Sequence, residues 1–505
     1  MAVKINFNAE ATKTHTALIY NERLMGKSLL RLSTGYRILN AADDSAGLFI
    51  ADMLGTVAAA LEQGNANIQT GISALQIAES SAGQIYTKLQ EIYVRAQRAA
   101  NDINDPNARA ALQQEINNFI DAIQKIGTDT EYNGIKLLDG TFTNKYIHYG
   151  PRSEQVVYVS IADVRAQSLG GYMIKAPGTV DSVTGDVTFL TKIVSTSSQT
   201  VTVGGQSITA TYQHDSNYVV DLGKIASDIN NNTVLNQKGI TAKAVNESIA
   251  DADYTALASG DVTDLTVNFY VGDKKFSFTA NPDISLDELI NKINSEASNA
   301  GADLRASRVG NRLSLVSSQG HTILIEVNVT GSGEITVNLN QLLQDAESQT
   351  FTIDGSGTAS AGKTGKLYII GPEDFDIGMS SITDALGGES FDIGGAEDAK
   401  FQGLYDISVL TNDKAEIALL IVDAALKKVD KIRAQIGAIM NNLQSIFDSQ
   451  KVAYDNTKEA ESVIRNTDYA KEMSEFVTYQ IRMQATVAML AQANTLPQLV
   501  LQLMR

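Results

Sequence analysis

Between Val57 and Ala99 an apolar or small residue recurs in alternating steps of four and three: Val57, Leu61, Gly64, Ile68, Gly71, Leu75, Ala78, Ala82, Ile85, Leu89, Ile92, Ala96 and Ala99, with no proline among them. An average step of 3.5 residues keeps one seam of a helix against a partner helix along its whole length. At about 1.5 Å per residue this stretch makes a rod of roughly 60 Å. A rod that long cannot bury its seam against itself, so the rest of the chain must supply the partner. Val422, Ala425, Val429, Ile432, Ile436, Ile439, Leu443 and Ile446 repeat the rhythm, and Leu112, Ile116, Phe119, Ile123 and Ile126 carry a shorter copy. Seams from both ends of the chain predict a long bundle closed by the two termini rather than a compact globular helical core.

At 505 residues the chain has room for several domains. It has no Cys, which removes disulfides, thiolate metal sites and thiol nucleophiles. A net charge of −18 argues against nucleic-acid binding. Met1 to Phe7 lacks the apolar core of a secretory signal, so any export would use another route. The longest apolar run, Ala415 to Val422, is interrupted by Glu416 and is too short to span a bilayer, so no membrane insertion is expected.

Residues 1 to about 35 form an amphipathic helix, with Leu18, Met25 and Leu32 seven apart and Leu29 placed with them. Lys4, Lys13, Arg23, Lys27, Arg31 and Arg37 make this end basic, yet an ordinary half-buried helix accounts for it better than a membrane-surface helix or a transit peptide. Its partner seam lies at the far end, where Tyr469, Phe476, Met483 and Leu490 are also seven apart, flanked by Met473 and Val487. Each terminal helix is marginal alone and is expected to stay disordered until something packs against it. Gly35 ends the first helix, and Asp43, Asp44 or Ser45 caps the next; adjacent acids at a helix start are read as caps rather than as an acid–base or metal dyad. Asn104-Asp-Pro-Asn107 is a turn before a helix. Glu131-Tyr-Asn-Gly-Ile-Lys-Leu-Leu-Asp-Gly140 carries Asn-Gly and Asp-Gly turn signals, and Val156 to Ile161 alternates as a strand, which predicts a small β-hairpin on the flank of the bundle.

From about Gly171 to about Gly395 the heptads vanish and Val, Thr, Ser, Gly and Asp dominate. Leu222, Ile225 and Ile229-Asn230 recur with identical spacing as Leu286, Leu289 and Ile293-Asn294. Each copy follows a strand-like run, Gln199 to Thr211 or Leu265 to Thr279. Each precedes another, Ile240 to Val245 or Leu304 to Val309 and then Arg312 to Ser317. Two strand–helix–strand modules are expected. The architecture predicted is α+β and multidomain: a coiled-coil bundle built from both termini, a hairpin on its flank and a β-rich central insert.

Catalytic chemistry finds no footing. His15, His148, His214 and His321 are isolated, no His-Glu-x-x-His occurs, and Asp251 and Asp253 read as a solvated loop rather than a cation site. No catalytic, cofactor or metal residue is predicted. Asn231, Asn246 and Asn328 begin N-glycosylation triplets of a kind common by chance.

The termini are more specific. Asn21 through Asp52, including Ser28-Leu-Leu-Arg-Leu-Ser-Thr-Gly-Tyr-Arg-Ile38 and Ala41-Ala-Asp-Asp-Ser-Ala-Gly-Leu48, resembles the N-terminal signature of bacterial flagellins. Glu131 to Gly140 and the ending Ala491-Gln-Ala-Asn-Thr-Leu-Pro-Gln-Leu-Val-Leu-Gln-Leu-Met-Arg505 resemble that family too. The resemblance covers about residues 1–170 and 400–505, and the insert's Ile-Asn modules look like those of flagellins and hook-associated proteins. It implies a filament subunit for swimming motility, with a hook–filament junction protein as the alternative. It also implies a division: residues 1–40 and 465–505 as the inner filament core, 41–170 and 401–464 as the surrounding rod, and 171–400 as an outward insert. Polymerisation would rest on Leu18, Met25, Leu29, Leu32, Phe476, Met483 and Leu490. The implied partners are further copies of the chain, an export chaperone and type III export apparatus, the filament cap and the junction proteins, in an extracellular filament. In members active on the animal innate receptor for flagellin, one stretch of the long helix reads Leu-Gln-Arg-Ile-Arg-Glu-Leu-Ala-Val-Gln. Here it is Leu89-Gln-Glu-Ile-Tyr-Val-Arg-Ala-Gln-Arg98. The departures at Glu91, Arg95 and Arg98 imply a poor receptor ligand.

Overall fold

The computed structural model describes residues 7–101, 105–214, 216–378 and 397–503, with side chains as far as Thr495. The described residues form eight α-helices: α1 (Ala9–Thr34), α2 (Ser45–Ala99), α3 (Pro106–Asp129), α4 (Leu222–Asn231), α5 (Thr233–Gln237), α6 (Leu286–Ala300), α7 (Asn412–Arg465) and α8 (Tyr469–Leu503). Every stop of the Val57–Ala99 seam is buried or half-buried, as are the stops on α3 and α7. The chain divides into two compact units. One holds residues 1–76, 143–160 and 436–505, and the other holds 77–142 and 161–435.

In the first unit α1 and α8 run antiparallel. Asn8 Nδ2 donates to the Ala493 carbonyl (2.8 Å), Asn21 Nδ2 to Thr486 Oγ1 (3.1 Å) and Ser28 Oγ to the Glu472 carbonyl (3.3 Å). The partner that each terminal helix needs is therefore the other. Both stop at the same level. Gly35 turns left-handed at φ 78°, and its carbonyl accepts from Thr467 N at 2.9 Å. Tyr36 then bridges Asn466, and Arg37 N donates to the Arg465 carbonyl at 2.8 Å. Asp44 accepts from Gly47 N at 2.9 Å, capping α2. Asp43 instead holds Lys27 at 2.6 Å and the Leu39 N–H, and this bonding keeps its carboxyl below the usual range despite some desolvation.

The single hairpin expected from the sequence is two. Glu131–Tyr132 pairs with Ile135–Lys136 around an Asn133-Gly134 turn with φ of 50° and 76°. Separately, Lys145–His148 pairs with Val156–Val159; the strand stops there, short of Ile161. This second hairpin lies on α2 where the seam holds glycine: a Cβ on Gly64 would sit 1.9 Å from the Tyr149 carbonyl oxygen. Asn67 Nδ2, between the two seam glycines, donates to the His148 carbonyl at 2.9 Å.

The second unit carries the insert. Its entry strand Gly170–Ala176 and exit strand Lys400–Gly403 pair with each other, Gly170 opposite Gly403. They lie at one edge of a six-stranded antiparallel sheet completed by Lys366–Gly371, Thr241–Ile249, Arg312–Ser317 and Arg305–Val309. A five-stranded antiparallel sheet is built around the long strands Ala258–Val271, Ile323–Val337 and Gln349–Lys363.

The repeat is real in space, but each unit is hairpin–helix–strand, not strand–helix–strand. Gln199 to Thr211 breaks at Gly204-Gly205 into Thr200–Val203 and Gln206–Thr209, and Leu265 to Thr279 turns at Gly272-Asp273. The first copy also inserts a second hairpin, Thr211–His214 with Asn217–Val220, before α4. The recurring Ile-Asn has a physical basis. Ile229 and Ile293 are fully buried. Asn294 Nδ2 donates to the Ala306 carbonyl (2.9 Å) while its Oδ1 accepts from Ala306 N (2.7 Å), and Asn230 clamps Ala242 in the same way at 2.8 and 2.9 Å. Each clamp ties its helix to the strand residue twelve positions on.

Candidate assembly surface

The residues picked out on the terminal helices fall on two faces. Leu18, Met25 and Leu32 of α1, and Phe476, Met483 and Leu490 of α8, are half-buried. These six lie on the seam within one chain. Leu29 does not; it is 54% exposed. On the outside with it are Ile19, Tyr20 and Leu30 of α1. On α8, Met473, Val477 and Ile481 follow at steps of four, and Val487 and Met489 are exposed as well. Most of the exposed large apolar side chains among the described residues belong to this unit. Concentrated apolar exposure of this kind marks an interaction surface.

Sequence reasoning set Leu29, Tyr469, Met473 and Val487 in or beside the seam, whereas all four are exposed, and it missed the outer face as such because Ile19, Tyr20, Leu30, Val477 and Ile481 lie off the heptad positions. It also missed the polar half of the seam. Asn21 and Ser28 are one heptad apart, as are Tyr479 and Thr486, and Ser28, Glu472 and Thr486 are buried. Glu472 pairs with Arg31 at 3.5 Å. A polar residue at a seam position was the available signal.

The receptor positions lie in the other unit, where α2 meets α3. Arg95 pairs with Glu91, reaches Glu115 at 3.1 Å and lies 5.1 Å over the Phe119 ring. Its half-exposed guanidinium is thus engaged by α3, while Arg98 is exposed.

Among the described residues no group of three His, Asp or Glu side chains is placed to hold a metal ion. Of the glycosylation triplets, Asn246 is buried and its amide donates to the His321 and Lys363 carbonyls. Asn328 lies within a paired strand, and Asn231 is exposed at the end of α4. The longest apolar run, Ala415 to Val422, lies near the start of α7. Helix α2 is long and apolar enough, by length and composition alone, to cross a membrane.

Comparison with known proteins agrees with this geometry. Residues 5–143 match the bacterial flagellin N-terminal helical region and residues 419–504 the bacterial flagellin C-terminal helical region. Over the full length of both chains the protein is 48% identical to a flagellin of Aquifex aeolicus and 49% identical to one of Aquifex pyrophilus. It is 28% identical to flagellin A of Helicobacter pylori, again over the whole of both chains. These full-length relatives are flagellins, which favours a filament subunit over a junction protein. The chain belongs to the bacterial flagellin family, the structural subunits that polymerise into the extracellular flagellar filament of motile bacteria.

Proposed function

We propose that the α1–α8 pair is the polymerising element. The observation that carries this is the outward face of Ile19, Leu29, Leu30, Met473, Val477 and Ile481. Each large side chain that gains cover from a neighbouring copy contributes about 1.5–3 kcal/mol. Leu18, Met25, Leu32, Phe476, Met483 and Leu490 hold the pair together, and Leu29 reaches the neighbour. Residues 1–40 and 465–505 then form the inner core, 41–170 and 401–464 the surrounding shell, and 171–400 the outward insert. The chain acts as a building material and not as a catalyst. It leaves the cell through the flagellar type III export apparatus with a chaperone on its C-terminal segment, and adds beneath a cap to a filament joined to the hook by junction proteins. Removing residues 1–30 or 475–505 should leave a soluble, helical monomer that does not polymerise on filament seeds. Normal filaments from either truncation would refute this role.

The chain is also proposed to be a poor ligand for the animal receptor that senses flagellin. Glu91 stands where active members carry arginine, so a charge-assisted donor is replaced by a carboxylate; losing such an anchor costs roughly 2 kcal/mol or more. Arg95 supports the same reading, because its guanidinium is drawn onto α3 by Glu115 and Phe119.

A further inference from the structure

Two of the chain's four histidines converge on one turn of the insert, the Gly272-Asp273 turn between the strands Ala258–Val271 and Lys274–Ala280. His214 Nε2 donates to the Gly272 carbonyl at 2.7 Å, and its ring meets Tyr270 edge-on at 5.5 Å. The His321 ring closes on the same glycine, since a Cβ on Gly272 would lie 3.1 Å from it. Behind His321 stands Asp221, only 1% exposed. Asp221 caps α4 through Lys224 N at 2.7 Å and accepts from Thr322 N at 2.9 Å and from His321 Nδ1 at 2.9 Å. Thr322 Oγ1 returns a bond to the Val220 carbonyl at 2.6 Å. His214 and Asp221 belong to the first module. His321 and Thr322 lead into the long strand Ile323–Val337, which pairs with the hairpin strand of the second module. The contact therefore joins the two copies of the repeat, through residues about a hundred positions apart.

We propose that His321 and Asp221 form a proton-operated joint between the two modules of the insert, closed while the imidazole is charged and loosened when it loses its proton. A carboxylate this buried needs a counter-charge as well as hydrogen bonds. The other candidates do not supply one. Lys224 is spent on Asp228 at 3.0 Å and on the Tyr212 ring, which itself meets His321 edge-on at 6.0 Å. Among the described residues the other carboxylates facing His321 are Asp273 in the gripped turn, itself paired with Lys274 at 2.9 Å, and Asp303 in the loop after α6, tied to Ser317, Ser318 and Gln319 N. The side chain of His321 keeps 14% exposure, so protons reach it. Burial disfavours the charged ring, but the bond to Asp221 and the charges of Asp221, Asp303 and Asp273 outweigh burial and hold its pKa above the ordinary 6.5. A histidine raised on folding stabilises the joint fully below its unfolded pKa, and that contribution is lost as pH rises through the folded value. The insert is thus stiffer in mildly acidic medium and looser in alkaline medium.

Hydrogen exchange of the full-length chain tests this, read at the Thr322 and Lys224 amides across about pH 5.5 to 9 and corrected for intrinsic rates. Protection in the unmodified chain should fall with rising pH, by about tenfold for each unit separating the folded and unfolded values. His321→Gln should remove the pH slope while leaving the Ala306 amide, in its Asn294 clamp, unchanged. Asp221→Asn keeps a side chain that can cap α4 and should also remove the slope, so it decides the matter if His321→Gln folds poorly. Equal slopes in the unmodified chain and in whichever variants fold would overturn the proposal.

Discussion

Gly64→Ala sets two effects of opposite sign against each other in one helix. In the interior of α2, replacing glycine by alanine should gain up to about 1 kcal/mol, because glycine loses more backbone entropy on becoming helical. The added Cβ would lie 1.9 Å from the Tyr149 carbonyl oxygen and 2.6 Å from its carbon. These are backbone atoms of the hairpin and cannot swing aside as a side-chain tip would. Relief needs a shift of more than 1 Å, enough to stretch the 2.9 Å bond from Asn67 to His148 beyond use. A gap of that size also forfeits a large part of the hairpin's dispersion contact. Overpacking of this kind costs about 1–3 kcal/mol, and the lost bond about 1 kcal/mol more. The clash wins, and the substitution should be net destabilising by roughly 1–3 kcal/mol. Gly437 on α7 is the control, for a Cβ there meets nothing within 4 Å and Gly437→Ala should stabilise. The assay is hydrogen exchange over residues 145–159 together with a helical melt. Faster hairpin exchange in Gly64→Ala but not in Gly437→Ala is expected. Unchanged hairpin protection with a raised melting temperature in Gly64→Ala would refute the reasoning.

Joining residue 170 to residue 401 by a short linker should leave a chain that still forms filaments, thinner in cross-section, because those positions are neighbours in the paired entry and exit strands; electron micrographs showing aggregates or only folded monomer would contradict this. Asn294→Ala and Asn230→Ala should each cost about 1–3 kcal/mol locally, read as faster exchange of residues 305–309 and 241–249 respectively, and a loss in one copy without the other would break the equivalence of the clamps. In a receptor-reporter assay on monomer the unmodified chain should signal weakly and the combined Glu91→Arg, Arg95→Leu and Arg98→Gln variant more strongly; strong signalling by the unmodified chain would end the idea. Because Arg95→Leu also removes its contacts with Glu115 and Phe119, that variant should lose about 1 kcal/mol of stability, and its melt should accompany the assay.

The rods were legible because a seam of 3.5-residue period leaves its mark on every turn, and all thirteen stops from Val57 to Ala99 lie on the buried side. The repeat was legible for a similar reason: Ile229-Asn230 and Ile293-Asn294 each perform a fixed task at a fixed offset. The number of strands around them was not. A two-residue turn such as Gly272-Asp273 barely interrupts an alternating pattern, so two strands read as one. The division of the terminal helices into an inner seam and an outer face was half legible. Heptad counting finds the inner seam, where intramolecular packing imposes the period. On the proposed reading the outer face would answer to a neighbouring copy, whose spacing the heptad does not encode, and Ile19 and Ile481 lie off the heptad positions. The joint at Asp221 and His321 was invisible, because two residues a hundred positions apart share no local pattern.

The pairing of Gly170–Ala176 with Lys400–Gly403 also bears on how such chains diversify. Once a sheet holds the two ends of a segment together, lengthening that segment costs only loop-closure entropy, which rises with the logarithm of its length. Doubling it adds about 0.6 kcal/mol. The doorway strands thus separate the size of what lies beyond them from the stability of what lies before them. Insertions, duplications such as the module repeat, or outright exchange of the insert can accumulate on the far side while the chain ends remain under the constraint of mutual fit.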